Sequence, residues 1–320
     1  MRALVTGGAG FIGSTLVDRL LAEGHAVEVV DDLSSGRLAN LADARADLDH
    51  DFSFHQIDIC DPNVVELIER SRPEVVFHLA AQIDVRVSVE DPVRDARINV
   101  LGSLNVLEGA RRAGTRKVVF ASSGGTIYGE VDPEDLPVGE GHPQHPVSPY
   151  GVSKKVVSDY LHAYRELHQL EFTSLALANV YGPRQDPHGE AGVVAIFSLQ
   201  LLSGQRPTIF GDGEKTRDYC YVSDIVDANV LALNYEGTGT FNLGRGIEIS
   251  DLEVFETVQD VIGSSIEPNY APVRPGEVEH IALDASKAER DMGWKWKVDL
   301  VDGVAEAVKY YREASERKPA

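Results

Sequence analysis

Tyr150 and Lys154 stand four residues apart in the run Ser148-Pro149-Tyr150-Gly151-Val152-Ser153-Lys154, a spacing that puts a phenol and an ammonium on one face of a helix. A nearby cation lowers a phenol's pKa toward working pH, so such a tyrosine can take a proton from a hydroxyl. The same spacing also arises when a partly buried tyrosine merely neighbours a solvated lysine. The pair carries weight only if the rest of the chain brings a redox cofactor and a hydroxylated substrate to it.

Near the N-terminus, Gly7-Gly8-Ala9-Gly10-Phe11-Ile12-Gly13 follows a strand-like segment and opens a helix-like one. Gly7, Gly10 and Gly13 permit a tight turn and let the backbone approach a pyrophosphate, which then sits at the positive helix end beside Phe11 and Ile12. Glycines that only shape a turn would look alike, but here a second signal follows. Asp31 ends the next strand-like run, 18 residues after Gly13, where a carboxylate accepts hydrogen bonds from the adenosine ribose and repels a 2′-phosphate. This favours NAD over NADP, although Arg37 nearby points the other way. Asp58 and Ile59 are placed to meet the adenine edge. Leu79, Ala80, Ala81 and Gln82, following His78 at the end of a fourth strand, lie where the dinucleotide should run. Asp32 and Asn99 are expected to complete the cofactor site.

These residues need a scaffold, and its periodicity is visible. Strand-like runs at 3–6, 26–31, 54–58, 75–78, 117–122 and 172–176 alternate with helix-like ones at 12–23, 62–70, 93–113 and 150–168. That alternation predicts an α/β fold, a Rossmann-like doubly wound parallel sheet, with strands apolar on both faces as burial requires. After Asn179 the pattern loosens into Gly- and Pro-rich loops with short strands at 207–210, 219–222 and 239–243. The expected organisation is a dinucleotide domain over 1–178, with returning segments near 215–240, and a smaller α/β substrate lobe over 179–320. At 320 residues, 43% hydrophobic and 25% charged, the composition is that of a globular protein with ample core. A formal charge of −21 argues against nucleic acid as a partner and requires local arginines for any anionic substrate. Cys60 and Cys220, with no CxxC, argue for a reducing compartment and against a disulfide framework. The histidines form no HExxH motif, and no metal is expected. The chain starts on a strand rather than a leader and has no run of about 18 apolar residues, so a cytoplasmic protein off the membrane is expected.

With GGAGFIG, HLAA, TIYG and YGVSK in this order, the chain resembles the extended short-chain dehydrogenase/reductase family. The stretch 179–192, NVYGPRQDPHGEAG, together with Phe210-Gly211-Asp212-Gly213, Thr216-Arg217-Asp218-Tyr219, Arg274-Pro275-Gly276-Glu277 and Asp284-Ala285-Ser286-Lys287-Ala288, resembles its bacterial UDP-glucose 4-epimerase branch. The resemblance implies that Arg217 and Arg274 grip the nucleotide diphosphate, chemistry suited to forked guanidiniums. It further implies that Glu277 reaches the uridine ribose and that Asn179 touches diphosphate or sugar. Val194 belongs to the same substrate group, and Ile281 is expected near the C2 substituent. Mainly UDP-glucose and UDP-galactose are expected as substrates, with some N-acetylated turnover. In the implied mechanism Tyr150 removes the 4-hydroxyl proton while C4 gives its hydride to NAD; Lys154 lowers the tyrosine pKa. The 4-keto sugar turns over and is reduced on its other face.

The family also bonds the reacting 4-oxygen with a hydroxyl four residues before the tyrosine of TIYG. Here that position is Gly124, so Ser123 or Thr126 must substitute, Ser123 being adjacent to it. Related 4,6-dehydratases carry an Asp-Glu pair after the hydroxyl and decarboxylases a nearby Glu. Gly124-Gly125 leaves no carboxylate to serve elimination. UDP-glucuronate epimerases usually show an Arg-Pro-Asp pattern in place of DPHGEAG. A rival class, the non-catalytic NAD-binding regulator, typically loses the Tyr/Lys pair that this chain keeps. The helical stretches 93–113 and 150–168 resemble those that pair across a two-fold axis in this family, implying a homodimer, though their apolar positions can equally serve the monomer core.

Overall fold

The computed structural model describes residues 1–47, 51–187, 192–273 and 278–316. Its centre is set by strands whose successive side chains leave opposite faces. In β1 (Arg2–Thr6), Ala3 and Val5 enter one core and Leu4 the other; in β4 (Val75–His78), Val75 and Phe77 enter the first and Val76 the second. With both faces buried, helices must cover both. The helices Phe11–Ala22 and Val222–Asn234 pack together on one side, and Asn63–Ser71, Ser103–Ala113 and Pro149–His168 cover the other.

Besides β1 and β4 the sheet contains β2 (Ala26–Asp31), β3 (Phe52–Gln56), β5 (Lys117–Ser123) and β6 (Glu171–Leu177). All of its seven strands run parallel, in the order Gly239–Leu243, β6, β5, β4, β1, β2, β3. The chain reverses its direction of travel across the sheet between β1 and β4. At such a switch point the loops leaving the strand ends part and open a crevice for a ligand.

Two expectations need correcting. The strand at 239–243, grouped above with the loosened second half, instead extends the main sheet by pairing with β6. Its signal was short, and only long-range pairing decided which sheet took it. The stretch 93–113 is not one helix: Pro92–Ala96 runs into a π-helical segment, Arg97–Gly102, before Ser103–Ala113 resumes. A π-segment changes the angular spacing of side chains, a device frequent at functional sites. Buried Lys117 donates to the carbonyls of Ala232 (3.0 Å) and Tyr235 (2.5 Å), closing the end of the helix Val222–Asn234.

In the remaining lobe the helices Val193–Leu202, Asp251–Ile262 and Leu300–Glu316 pack mutually around Phe197, Leu201, Phe255, Val258 and Val308. Strand pairs too short to stand alone edge this core. Thr208–Phe210 pairs with Asn269–Ala271, Thr216–Arg217 with Ile249–Ser250, and Tyr219–Tyr221 with Asn179–Tyr181. Among the described residues no helix is long and apolar enough to cross a membrane.

Candidate active site

A cleft of about 860 Å³ opens at the switch point and extends between the main sheet and the second lobe. Its floor is the glycine loop. Gly7, at φ +70°, is held by its N–H to the Val30 carbonyl, and a Cβ there would lie 2.7 Å from the Ala80 nitrogen. At Gly13 a Cβ would come within 2.1 Å of the Gly7 carbonyl oxygen. The helix beginning at Phe11 has no side-chain cap at Gly10, so its first N–H groups point toward the cleft as anion donors. Asp31 is buried and accepts from the Ala9 N–H (2.9 Å) and the Leu33 N–H (2.8 Å), one per oxygen. Burial raises its pKa while those two bonds oppose the rise, and each oxygen keeps a lone pair for a ribose hydroxyl. Arg37 turns away to Asp186 at 3.0 Å. These features fit a dinucleotide pyrophosphate and an unphosphorylated ribose. Phe11, Ile12, Asp32, Asp58, Ile59 and the run Leu79–Ala80–Ala81–Gln82 also line the cleft.

Tyr150 and Lys154 enter from the helix Pro149–His168, which is started by Ser148 accepting the Gly151 N–H and by proline in its first turn. Gly151 lets this helix approach closely, because a Cβ would meet the Thr126 carbonyl oxygen at 2.7 Å. That approach brings Tyr150 to the cleft beside Ser123 at the end of β5, and the Ser123 hydroxyl acts to lower the phenol's pKa. Thr126 also lines the cleft, but its hydroxyl donates to the Ser123 carbonyl at 3.4 Å. Gly124 has no room for a side chain: a Cβ would lie 2.3 Å from Leu283 Cδ1 and 3.0 Å from the Ala176 carbonyl oxygen.

Lys154 donates to the Ala121 carbonyl at 2.8 Å and lies 4.9 Å from the Phe120 ring centroid and 5.7 Å from that of Tyr150. Burial pushes its pKa down to about 8, opposed by the charge of Asp95. Burial likewise raises the Tyr150 phenol well above its ordinary value, against the lowering effect of the Ser123 hydroxyl. Among this chain's own groups, removal from water is the largest influence on the phenol. His78, fully buried between the Thr6 and Ser103 hydroxyls at 2.7 and 2.8 Å, is held neutral, its pKa pushed to about 3. It is a structural link rather than a base.

Asn179, Val194 and Arg217, the residues expected at the substrate, all line the cleft. Arg217 Nη1 is anchored on the Thr216 carbonyl at 2.6 Å. Arg274 and Glu277 lie outside the described residues. Two assignments are corrected. Ile281 is 2% exposed, packs into the main core and does not line the cleft, because Ala282 and Leu283 are drawn against Val138 and turn this side chain inward. Val278 lines the wall instead. Asn99 does not line the cleft either: its amide accepts from the Gln82 N–H and donates to the Gln82 carbonyl, both at 2.8 Å. It shapes the loop that does. Gln185 and Lys215, not singled out from the sequence, also line the cleft; Gln185 stands inside the quoted stretch 179–192 and Lys215 directly before Thr216, the available signal. The sequence reading missed Asp95, whose placement depends on contacts far along the chain.

The family model for GDP-mannose 4,6 dehydratase matches residues 4–307. A UDP-glucose 4-epimerase of Mycolicibacterium smegmatis is 50% identical over 317 residues, spanning 99% of this chain and 100% of the relative. Among solved structures, the UDP-glucose 4-epimerase of Thermotoga maritima with UDP-glucose superposes with a TM-score of 0.94 at 45% identity, covering 98% of this chain and 100% of the other. That of Thermus thermophilus with NAD gives 0.92 at 43%, with the same coverage.

Proposed function

The chain belongs to the GDP-mannose 4,6 dehydratase family of NAD-dependent epimerases and dehydratases, and from that premise we propose how its cleft works as a UDP-glucose 4-epimerase interconverting UDP-galactose and UDP-glucose. One observation carries the choice of epimerisation over dehydration. At the end of β5 the cleft beside Tyr150 is lined by Ser123, Gly125 and Thr126, none of them the carboxylate that elimination would need. Leu283 and the Ala176 carbonyl occupy the space that a side chain at 124 would need.

When bound, NAD would supply the acceptor and donor of the C4 hydride. The glycine loop and the N-terminus of the helix Phe11–Ala22 would hold the pyrophosphate, and Asp31 the adenosine ribose. Tyr150 takes the 4-hydroxyl proton as the hydride leaves C4 and returns it after the 4-keto sugar has turned over, so no reductant is consumed. Ser123 bonds the 4-oxygen and Thr126 supports Ser123. Arg217, with Arg274, holds the diphosphate, while Asn179 and Val194 bound the sugar. Firm grip on the nucleotide with a loosely held sugar suits a reaction that must present both faces of C4.

We also infer a homodimer. Val93 and Leu101, 78% and 57% exposed, lie with Val152 and Tyr160 on neighbouring helical segments, an apolar surface suited to a second copy. A cytoplasmic location fits the two unpaired cysteines. Purified protein should carry NAD and convert UDP-galactose to UDP-glucose without added reductant. A chromatographic panel of UDP and TDP sugars tests the preference: equal or faster turnover of the N-acetylated pair overturns it, and unchanged turnover by Tyr150→Phe overturns the mechanism.

A further inference from the structure

Asp95 is a carboxylate with no exposed surface, on the short helix Pro92–Ala96. One oxygen accepts from Gln82 Nε2 (3.0 Å) and Asn99 Nδ2 (2.9 Å); the other accepts from Ser153 Oγ (2.6 Å). A buried carboxylate is costly unless its lone pairs are filled, and here three side chains from three segments fill them. Gln82 lines the cleft and is pinned through its backbone by Asn99. Ser153 directly precedes Lys154 and lies three residues after Tyr150. Asp95 therefore joins the cofactor-side loop to the helix that carries the base.

Its charge acts on the same pair. Asp95 favours the ammonium of Lys154 and disfavours the phenolate of Tyr150. The other groups facing Lys154 are few. Neutral His78 comes from β4, the Ala121 carbonyl and the Phe120 ring from β5, and Tyr150 from the same helix. Asp84, on the cleft-lining loop, is paired with Arg86.

We propose that Asp95 is a positioning residue of the reaction, tying the Tyr150/Lys154 helix to the Gln82 loop and supplying the negative charge against which the Lys154 ammonium is held. This rests on the epimerase reading of the cleft, which the wild-type arm of the experiment tests by itself.

Asp95→Asn keeps the shape and removes the charge. A negative charge raises the pKa of both neighbours, so its removal lowers both. Tyr150 deprotonates more readily, and Lys154 loses its proton at lower pH. In the NAD-loaded enzyme the acid and alkaline limbs of kcat against pH should both move down, by roughly 0.5–1 pH unit. A residue that only supported the fold would lower the height of the profile and leave its limbs in place. Ser153→Ala keeps the charge and releases the helix; it should lower kcat about 5- to 20-fold with KM for the UDP-sugar and both limbs unchanged. Folded Asp95→Asn that retains NAD but shows unmoved limbs overturns the proposal, as does Ser153→Ala with full kcat. If Asp95→Asn does not fold, Ser153→Ala decides alone. Wild-type protein without epimerase activity would instead sink the functional reading.

Discussion

Replacing Gly124 by serine would restore the hydroxyl that related enzymes carry at this position, and the structure states what it would cost. The new Cβ would sit 2.3 Å from Leu283 Cδ1, 3.0 Å from Leu283 Cδ2 and 3.0 Å from the Ala176 carbonyl oxygen. Ordinary carbon contacts lie at about 3.5–4.0 Å, so Leu283 must move by more than an ångström. Leu283 has no exposed surface and the carbonyl belongs to β6, so neither yields into solvent. Overpacking of this kind costs about 2–3 kcal/mol, offset by ~0.4–1 kcal/mol from the less flexible unfolded chain once a glycine is lost. The net loss is about 2 kcal/mol, or roughly 3 °C in Tm for a chain of this size. Leu283→Ala alone should cost about 2–5 kcal/mol through its cavity, but the serine Cβ partly refills that space. The double variant should therefore be more stable than the sum of the singles by about 1–2 kcal/mol. Thermal unfolding at fixed protein and NAD concentrations reads all four corners of the cycle. Gly124→Ser with wild-type Tm, or strict additivity with Leu283→Ala, would refute the steric account.

Ser123→Ala should lower kcat by about 10²-fold or more, because it removes the hydroxyl that meets Tyr150, whereas Thr126→Ala should cost under about 10-fold; steady-state rates on UDP-galactose compare them. Lys117 has a folded pKa of about 8 against 10.5 unfolded, so its stabilising contribution is full above about 10.5 and is lost as pH falls through about 8. The stability deficit of Lys117→Met should consequently widen between pH 8 and 10 in urea titrations; a deficit independent of pH counts against it. Asp186→Asn releases the Arg37 guanidinium it now holds at 3.0 Å, so affinity for NADP should rise several-fold with NAD affinity nearly unchanged. Adding Arg37→Gln should erase that gain in calorimetric titrations.

Much of the lining of the candidate cleft was legible because its signals are local. A strand, a glycine turn and a helix follow one another within the first 22 residues, and the tyrosine and lysine share one helix, so backbone periodicity alone set their geometry. Extended runs apolar on both faces announced a buried parallel sheet, and the six strands that alternate with helices were found within a few residues of their ends. The identity of the chemistry was local too, since hydroxyl, phenol and ammonium are residue types. What the sequence could not express were relations between distant residues. Asp95 meets Ser153 across 58 positions, and Leu283 denies Gly124 a side chain from another part of the chain. Ile281 was turned into the core by pairing beside Val138, and Gly239–Leu243 joined the sheet because β6 offered an open edge. Even the sign of the Tyr150 shift was tertiary. Spacing supplied the cation, but only packing set how much water the phenol lost, and that loss is the first cause of the shift.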